Sequence, residues 1–199
     1  MNSKYFFILQ SLADLSSSQI SVIKKVLNNI NKSISDPNKF LFLTYYSTNK
    51  RILEKLLEKA EIDDLLPLEK YSQDNNKFAF KAILVDDDTS RLGKSPSLQI
   101  KQLSKTQRGL NVNEGIWLTL FNKNILKKHS IDLIDSLYSR ECIPTIYSWK
   151  SETRLSAICP DVSDFMCAAP IIEKEIELSV GDFKDNVVLE KKIGKLLNN

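Results

Sequence analysis

The sequence predicts a single α+β domain over residues 1–199: a helix-rich part (1–130) packed on a mixed or antiparallel sheet, a strand-rich part (131–180) and a C-terminal helix (182–197). Three observations carry this expectation. The 199 residues are the length of one ordinary domain. The 42% hydrophobic and 27% charged residues are typical of a globular chain, not a disordered or membrane-embedded one. Apolar residues recur at helical spacing before His129 and in short alternating runs after it.

In chain order, Tyr5, Ile8, Leu9 and Leu12 share a face of a first helix, Lys4 to Ala13. From Ser16 to Ser35 the residues Ile20, Ile23, Leu27, Ile30 and Ile34 form a stripe, widened by Val22 and Val26. Ser16 to Ser18 offer the N-cap, and Lys24, Lys25, Asn28, Asn29 and Asn31 cover the opposite side. After Asp36-Pro37 the dense run Phe40 to Tyr46 predicts a buried strand. Thr48 or Asn49 caps an amphipathic helix to Ala60, Ser72 to Lys77 is a polar loop, and Phe78 to Val85 is a second strand.

Asp86-Asp87-Asp88-Thr89 predicts a solvated acidic turn. Ser95-Pro96 opens a helix to about Gln107, stopped by Gly109. Asn111 and Glu114 have capping-box spacing before a helix carrying Ile116, Trp117, Leu120 and Phe121. His129 sits at a helix end. Five short strands follow: Ile131 to Leu137, Pro144 to Trp149, Leu155 to Cys159, Phe165 to Ala168 and Ile171 to Val180, read as antiparallel. Asp182 then caps a final helix with Val188, Leu189, Ile193, Leu196 and Leu197 on its stripe.

Most chemical motifs fail on spacing. The apolar run Tyr5 to Leu9 is too short for a membrane span or a signal-peptide core, so a cytoplasmic location is expected. Cys142, Cys159 and Cys167, spaced by 17 and 8 residues, fit neither a paired disulfide framework nor a C-x-x-C site. Gly93-Lys94-Ser95 lacks the earlier glycine of a phosphate loop, because position 88 is Asp. Were Asp86 the first ligand of a calcium loop, Gly and Glu would be needed where Arg91 and Ser97 stand. Neither a cofactor nor a metal is expected.

The charge is segregated. The net charge is +3, yet residues 89–131 hold Arg91, Lys94, Lys101, Lys105, Arg108, Lys123, Lys127 and Lys128 against Glu114 alone, a local +7 that leaves −4 elsewhere. Such a surface steers an acidic partner, a lipid headgroup or nucleic acid, unless other segments supply partners for these cations.

Residues 110–169 resemble an uncharacterised bacterial family, common in actinobacteria and known only as a domain of unknown function. The Arg108 to Gly115 run, Arg-Gly-Leu-Asn-Val-Asn-Glu-Gly, is similar to its R-x-P-L-T-V-x-E-G. Leu133-Ile134-Asp135-Ser136 is similar to its L-x-G-S turn, Ile143 to Tyr147 to its V-P-A-L-W strand, and Arg154-Leu155 to its P-R-L. Phe40 to Tyr46 and Ala82 to Asp88 fit two earlier strands, extending the similarity over about residues 20–170. Asp135 replaces the family's glycine, and its glycine-rich end becomes Cys167-Ala168-Ala169. The resemblance implies an α+β fold in a cytoplasmic setting and no established activity.

The function expected from these readings is a non-enzymatic protein–protein interaction module, an adaptor or chaperone-like subunit of a larger bacterial assembly. Its candidate partner contacts are Lys101, Lys105, Arg108, Trp117, Lys127 and Lys128, with Trp149 as a second aromatic anchor. Two alternatives stand beside it: an enzyme with a site near Cys142 and His129 or the Asp86 to Asp88 turn, and a nucleic-acid binder using residues 89–131.

Overall fold

The structure is a computed structural model that describes residues 3–45, 59–60, 80–136 and 142–197. In chain order it runs α1 (Ser3–Ala13), α2 (Ser17–Ser33), β1 (Lys39–Tyr45), β2 (Lys59–Ala60), β3 (Phe80–Asp86), α3 (Pro96–Lys101), β4 (Arg108–Gly109), α4 (Val112–Phe121), α5 (Ile125–Lys128), β5 (Ser130–Asp132), β6 (Ile143–Trp149), β7 (Glu152–Ile158), β8 (Cys167–Ala168), β9 (Ile171–Leu178) and α6 (Asn186–Gly194). This is an α+β domain closed by a C-terminal helix.

The strands form two sheets. One, ordered β1-β3-β9-β4, is antiparallel throughout. The other, ordered β2-β7-β6-β5-β8, is antiparallel at its centre and parallel at its outer pairs, β2 with β7 and β5 with β8. Helix α4 contacts β1 on one side and β6 on the other, and every residue from Glu114 to Leu120 is buried. A helix apolar all round is stable only when enclosed in this way. Tyr5 of α1 meets Trp117 and Phe121 edge-on, with centroids 5.7 and 5.2 Å apart. Helix α2 buries Ile20, Ile23, Leu27 and Ile30 and packs on α6 and β1. The N-cap expected in the Ser16 to Ser18 run is Ser16, and Gln19 completes a capping box with it.

Several boundaries differ from the sequence reading. The helix expected from Thr48 lies mostly outside the described residues, and its end, Lys59–Ala60, is a strand on β7. The loop at residues 72–77 also lies outside them. Helix α3 stops at Lys101, because Gln107 folds back and its side chain accepts the Ser104 N–H at 3.0 Å. Gly109 lies in β4 and stops no helix. Strand β5 is three residues long. Helix α6 is capped by Asp185, whose carboxylate accepts the Val187 N–H at 2.7 Å; Asp182 instead closes the preceding 3-10 turn with Ser179. Val188 is consequently exposed.

Strand β1 borders its sheet among the described strands, and its outward backbone groups are closed by side chains. The Asn31 amide donates to the Leu41 carbonyl at 2.8 Å while its oxygen accepts the Leu41 N–H at 2.7 Å. The Tyr5 hydroxyl does the same for Leu43, donating at 2.7 Å and accepting at 3.0 Å. Two helices thus supply, side chain by side chain, what a further strand would. Asn31 therefore faces the sheet, although sequence spacing assigned it to the wet side of its helix. Replacing Asn31 with Ala should cost about 1–3 kcal/mol in urea denaturation, since two buried backbone groups lose their partner. A variant as stable as the parent would contradict this.

Candidate functional site

Arg108 to Gly115 and Leu133 to Ser136, separate in sequence, meet at one point. The Arg108 guanidinium, on β4, donates to both Glu114 oxygens at 2.8 and 2.7 Å, to Asp135 at 3.2 Å, and to Glu175 of β9. Glu114 also accepts the Asn111 N–H at 3.0 Å, completing the capping box of α4, and the Ser136 hydroxyl accepts the Val112 N–H at 3.0 Å. The loop after β5 approaches so closely that a Cβ on Gly109 would lie 2.2 Å from Ile134 Cγ1, and one on Gly115 2.3 Å from Leu133 Cδ2. Partial burial works against the Glu175 charge, but Arg108 outweighs it and holds that carboxyl below its usual range. Arg108, expected to meet a partner, is thus a clasp within the fold.

A second polar group lies around β5. His129 is 1% exposed. Its Nδ1 lies 2.8 Å from the Ser130 carbonyl and its Nε2 3.0 Å from the Asp87 carboxylate. Both neighbours are acceptors, so the protonated ring satisfies both and forms a buried ion pair. Burial opposes that charge, and the Asp87 and Ser130 acceptors outweigh it, raising the His129 pKa. The acidic run is therefore not a solvated turn. Asp87 is buried on His129, Asp86 pairs with Arg91 at 3.4 Å, and Asp88 caps the 3-10 turn Thr89–Arg91.

On the other face of β5, fully buried Asp132 accepts the Thr145 hydroxyl at 2.9 Å and the Gln99 amide at 3.4 Å. Gln99 also accepts the Ala169 N–H at 2.7 Å, tying α3 to β8. Burial pushes the Asp132 carboxyl up to about 6. The Cys167 thiol is pushed up by burial and by the Asp132 and Asp164 charges, so it is a thiol and not a nucleophile. Both ring nitrogens of His129 are taken, by Ser130 and Asp87, so the ring is not paired with Cys142. Among the described residues, no group of three His, Cys, Asp or Glu could hold a metal ion.

The surface sorts the remaining candidates. Lys101, Lys105, Lys127 and Lys128 are exposed, whereas Trp117 is completely buried against Tyr5 and belongs to the core. Trp149 is half-exposed at the end of β6. The basic segment does not act as one face: Arg91 and Arg108 are held by acids, two of which, Asp86 and Glu175, lie outside it.

Two features escape the sequence reading. Phe165, expected to start a strand, is 80% exposed just before β8, followed by half-exposed Met166. The loop backbone is fixed around it. Asp164 accepts the Met166 and Cys167 N–H groups, the Met166 carbonyl accepts the Ser130 N–H at 2.7 Å, and the Pro160 carbonyl accepts the Ser97 N–H of α3 at 2.9 Å. The other feature is a cavity of about 290 Å³ beside α4, α5 and the β6–β7 hairpin, with Lys123 and Lys127 in its lining. No protein family, curated protein or solved structure matches the chain, and no helix among the described residues is long and apolar enough to cross a membrane.

The buried titrations set a pH profile. A raised His129 pKa gives stability that is complete below the unfolded value of about 6.5 and is lost as pH rises through the folded value. Asp132, at about 6 when folded, is easier to protonate there than in the unfolded chain, so its contribution also falls, from about pH 4 to 6. The melting temperature should decline in two stages as pH rises. D132N should abolish the lower stage. H129Q should abolish the upper one and cost about 3–5 kcal/mol, because Asp87 loses its cation. Unchanged profiles in both variants would refute these assignments.

Proposed function

We propose that the protein is a non-enzymatic interaction module, an adaptor that docks a protein partner on the loop before β8 and the adjoining helix α3. The observation that carries this reading is Phe165: a large aromatic ring 80% exposed on a backbone fixed by hydrogen bonds from both sides. An exposed ring on a rigid loop is a ready anchor, since little conformational entropy is lost when it is covered. Met166 and Val162 continue it on the same loop, and Leu98 and Ile100 are exposed on α3, whose N-terminus the loop touches.

The partner chemistry follows from size and charge. The exposed apolar surface is on the order of a few hundred Å², short of the roughly 1,200–2,000 Å² of a stable dimer, so self-association is not the fit. A short segment of another protein is. Lys94, Lys101 and Lys105 flank α3, which favours an acidic segment with an apolar residue seated against the ring. The internal satisfaction of the His129, Asp132 and Arg108 groups supports a binding role over a catalytic one.

Affinity purification from the source cells tests this, with the parent protein and the F165S/M166S variant side by side. The expected result is one stoichiometric protein that co-elutes with the parent and is lost from the variant, whose melting temperature is unchanged. A parent that elutes alone, or a variant that keeps the same protein at the same stoichiometry, would overturn the reading.

A further inference from the structure

We propose that the cavity between α4, α5 and the β6–β7 hairpin binds a small ligand carrying a phosphate group on an apolar body. Among the described residues its polar lining holds the ammonium groups of Lys4, Lys123 and Lys127 and the hydroxyls of Ser148, Ser151 and Thr153, with no carboxylate. Ile116, Leu120 and Leu126 form an apolar wall. At about 290 Å³ it stands at the lower end of the roughly 300–1,000 Å³ of small-molecule sites. Lysines act as point charges on compact anions, and hydroxyls complete the oxygen coordination, a combination that suits phosphate.

The charges of Lys123 and Lys127 are uncommitted among the described residues. Lys39, Lys81, Arg91, Arg108 and Lys192 all have acidic partners within the fold. Lys123 and Lys127 form no salt bridge with any described residue, although they stand only four positions apart beside the same cavity. Two adjacent like charges without counterions are mutually destabilising, and an anion between them removes that cost.

The hairpin backbone is a second, independent observation. Strands β6 and β7 are joined by Lys150 and Ser151, with φ of 48° and 68°. Both are left-handed, the conformation in which a two-residue hairpin normally uses Asn-Gly. A non-glycine residue is strained there. Backbone strain of this kind persists where the side chain is needed. Here the strained residue Ser151 is itself part of the cavity lining.

Titration calorimetry on the full chain tests the site with phenyl phosphate and inorganic phosphate as probes. Phenyl phosphate should bind saturably at one site, about tenfold tighter than inorganic phosphate because of the apolar wall. K123A/K127A should weaken it about tenfold or more, whereas K101A/K105A, which removes the same charge elsewhere, should stay within about twofold. K150N/S151G should raise the melting temperature yet weaken binding several-fold. Three results would each overturn the proposal: no saturable binding of either probe, equal weakening in both lysine pairs, or binding to vesicles of phosphatidylcholine with phosphatidylglycerol while phenyl phosphate fails to bind.

Discussion

Helix α4 is apolar on every side, and the whole arrangement depends on how its first turn is held between two sheets. The turn's orphan N–H groups have been given partners from different parts of the chain. Asn111 takes the Glu114 N–H locally, and Ser136 takes the Val112 N–H from beyond β5. Glu114 reaches back to Asn111 and out to Arg108, which is anchored on β4 and linked to Glu175 on β9. One charge network therefore joins the antiparallel sheet, the central helix and the loop leaving the mixed sheet. A carboxylate 3% exposed would be intolerable alone, and the bidentate guanidinium is what makes Glu114 compatible with burial. Gly109 and Gly115 belong to the same constraint, since a methyl group on either would push the loop at Leu133 to Asp135 away.

What was legible in the sequence is what depends on neighbours three or four residues apart. The N-cap at Ser16 and the capping box of Asn111 with Glu114 set the starts of α2 and α4, and most of the apolar stripe of α2 is buried, Val22 and Ile34 only partly. Strands β1 and β3 were visible as dense apolar runs because both faces are covered. The division of the strands between two sheets was not visible. Whether β9 pairs with β3, some ninety residues earlier, or with its nearer neighbours is a choice between contacts that local periodicity does not encode. The same applies to Asn31, whose amide is polar in the helix pattern but is turned to an edge strand ten residues away.

The site residues divide along a similar line. Lysine and arginine read alike in a charge count, yet the structure separates them: Arg108 and Arg91 are ion-paired within the fold, and Lys123 and Lys127 are left beside a cavity. Trp117 and Phe165 show the same ambiguity among aromatics. Each stands in an apolar stretch, and only the enclosure of α4 and the Asp164 turn decide that one is core and the other surface. A hairpin occupied by Lys-Ser in place of Asn-Gly was a signal open to sequence reading, since turn chemistry is local.

The buried polar groups around β5 and the two exposed features form one design. His129 with Asp87, and Asp132 with Gln99 and Thr145, pin the chain on both faces of a strand only three residues long. Such a strand has too few ladder bonds to fix its own neighbours, and the side-chain bonds supply the difference. The beneficiary is β8, which pairs with β5 and carries the Phe165 loop, while Gln99 holds the Ala169 backbone just beyond it. Rigidity in that loop is thus produced by groups that would otherwise invite a catalytic reading. Their pKa values are displaced by burial and mutual bonding, as an active site's would be, but each is closed to solvent and already has its partners. The displaced titrations therefore belong to the scaffold that holds this loop.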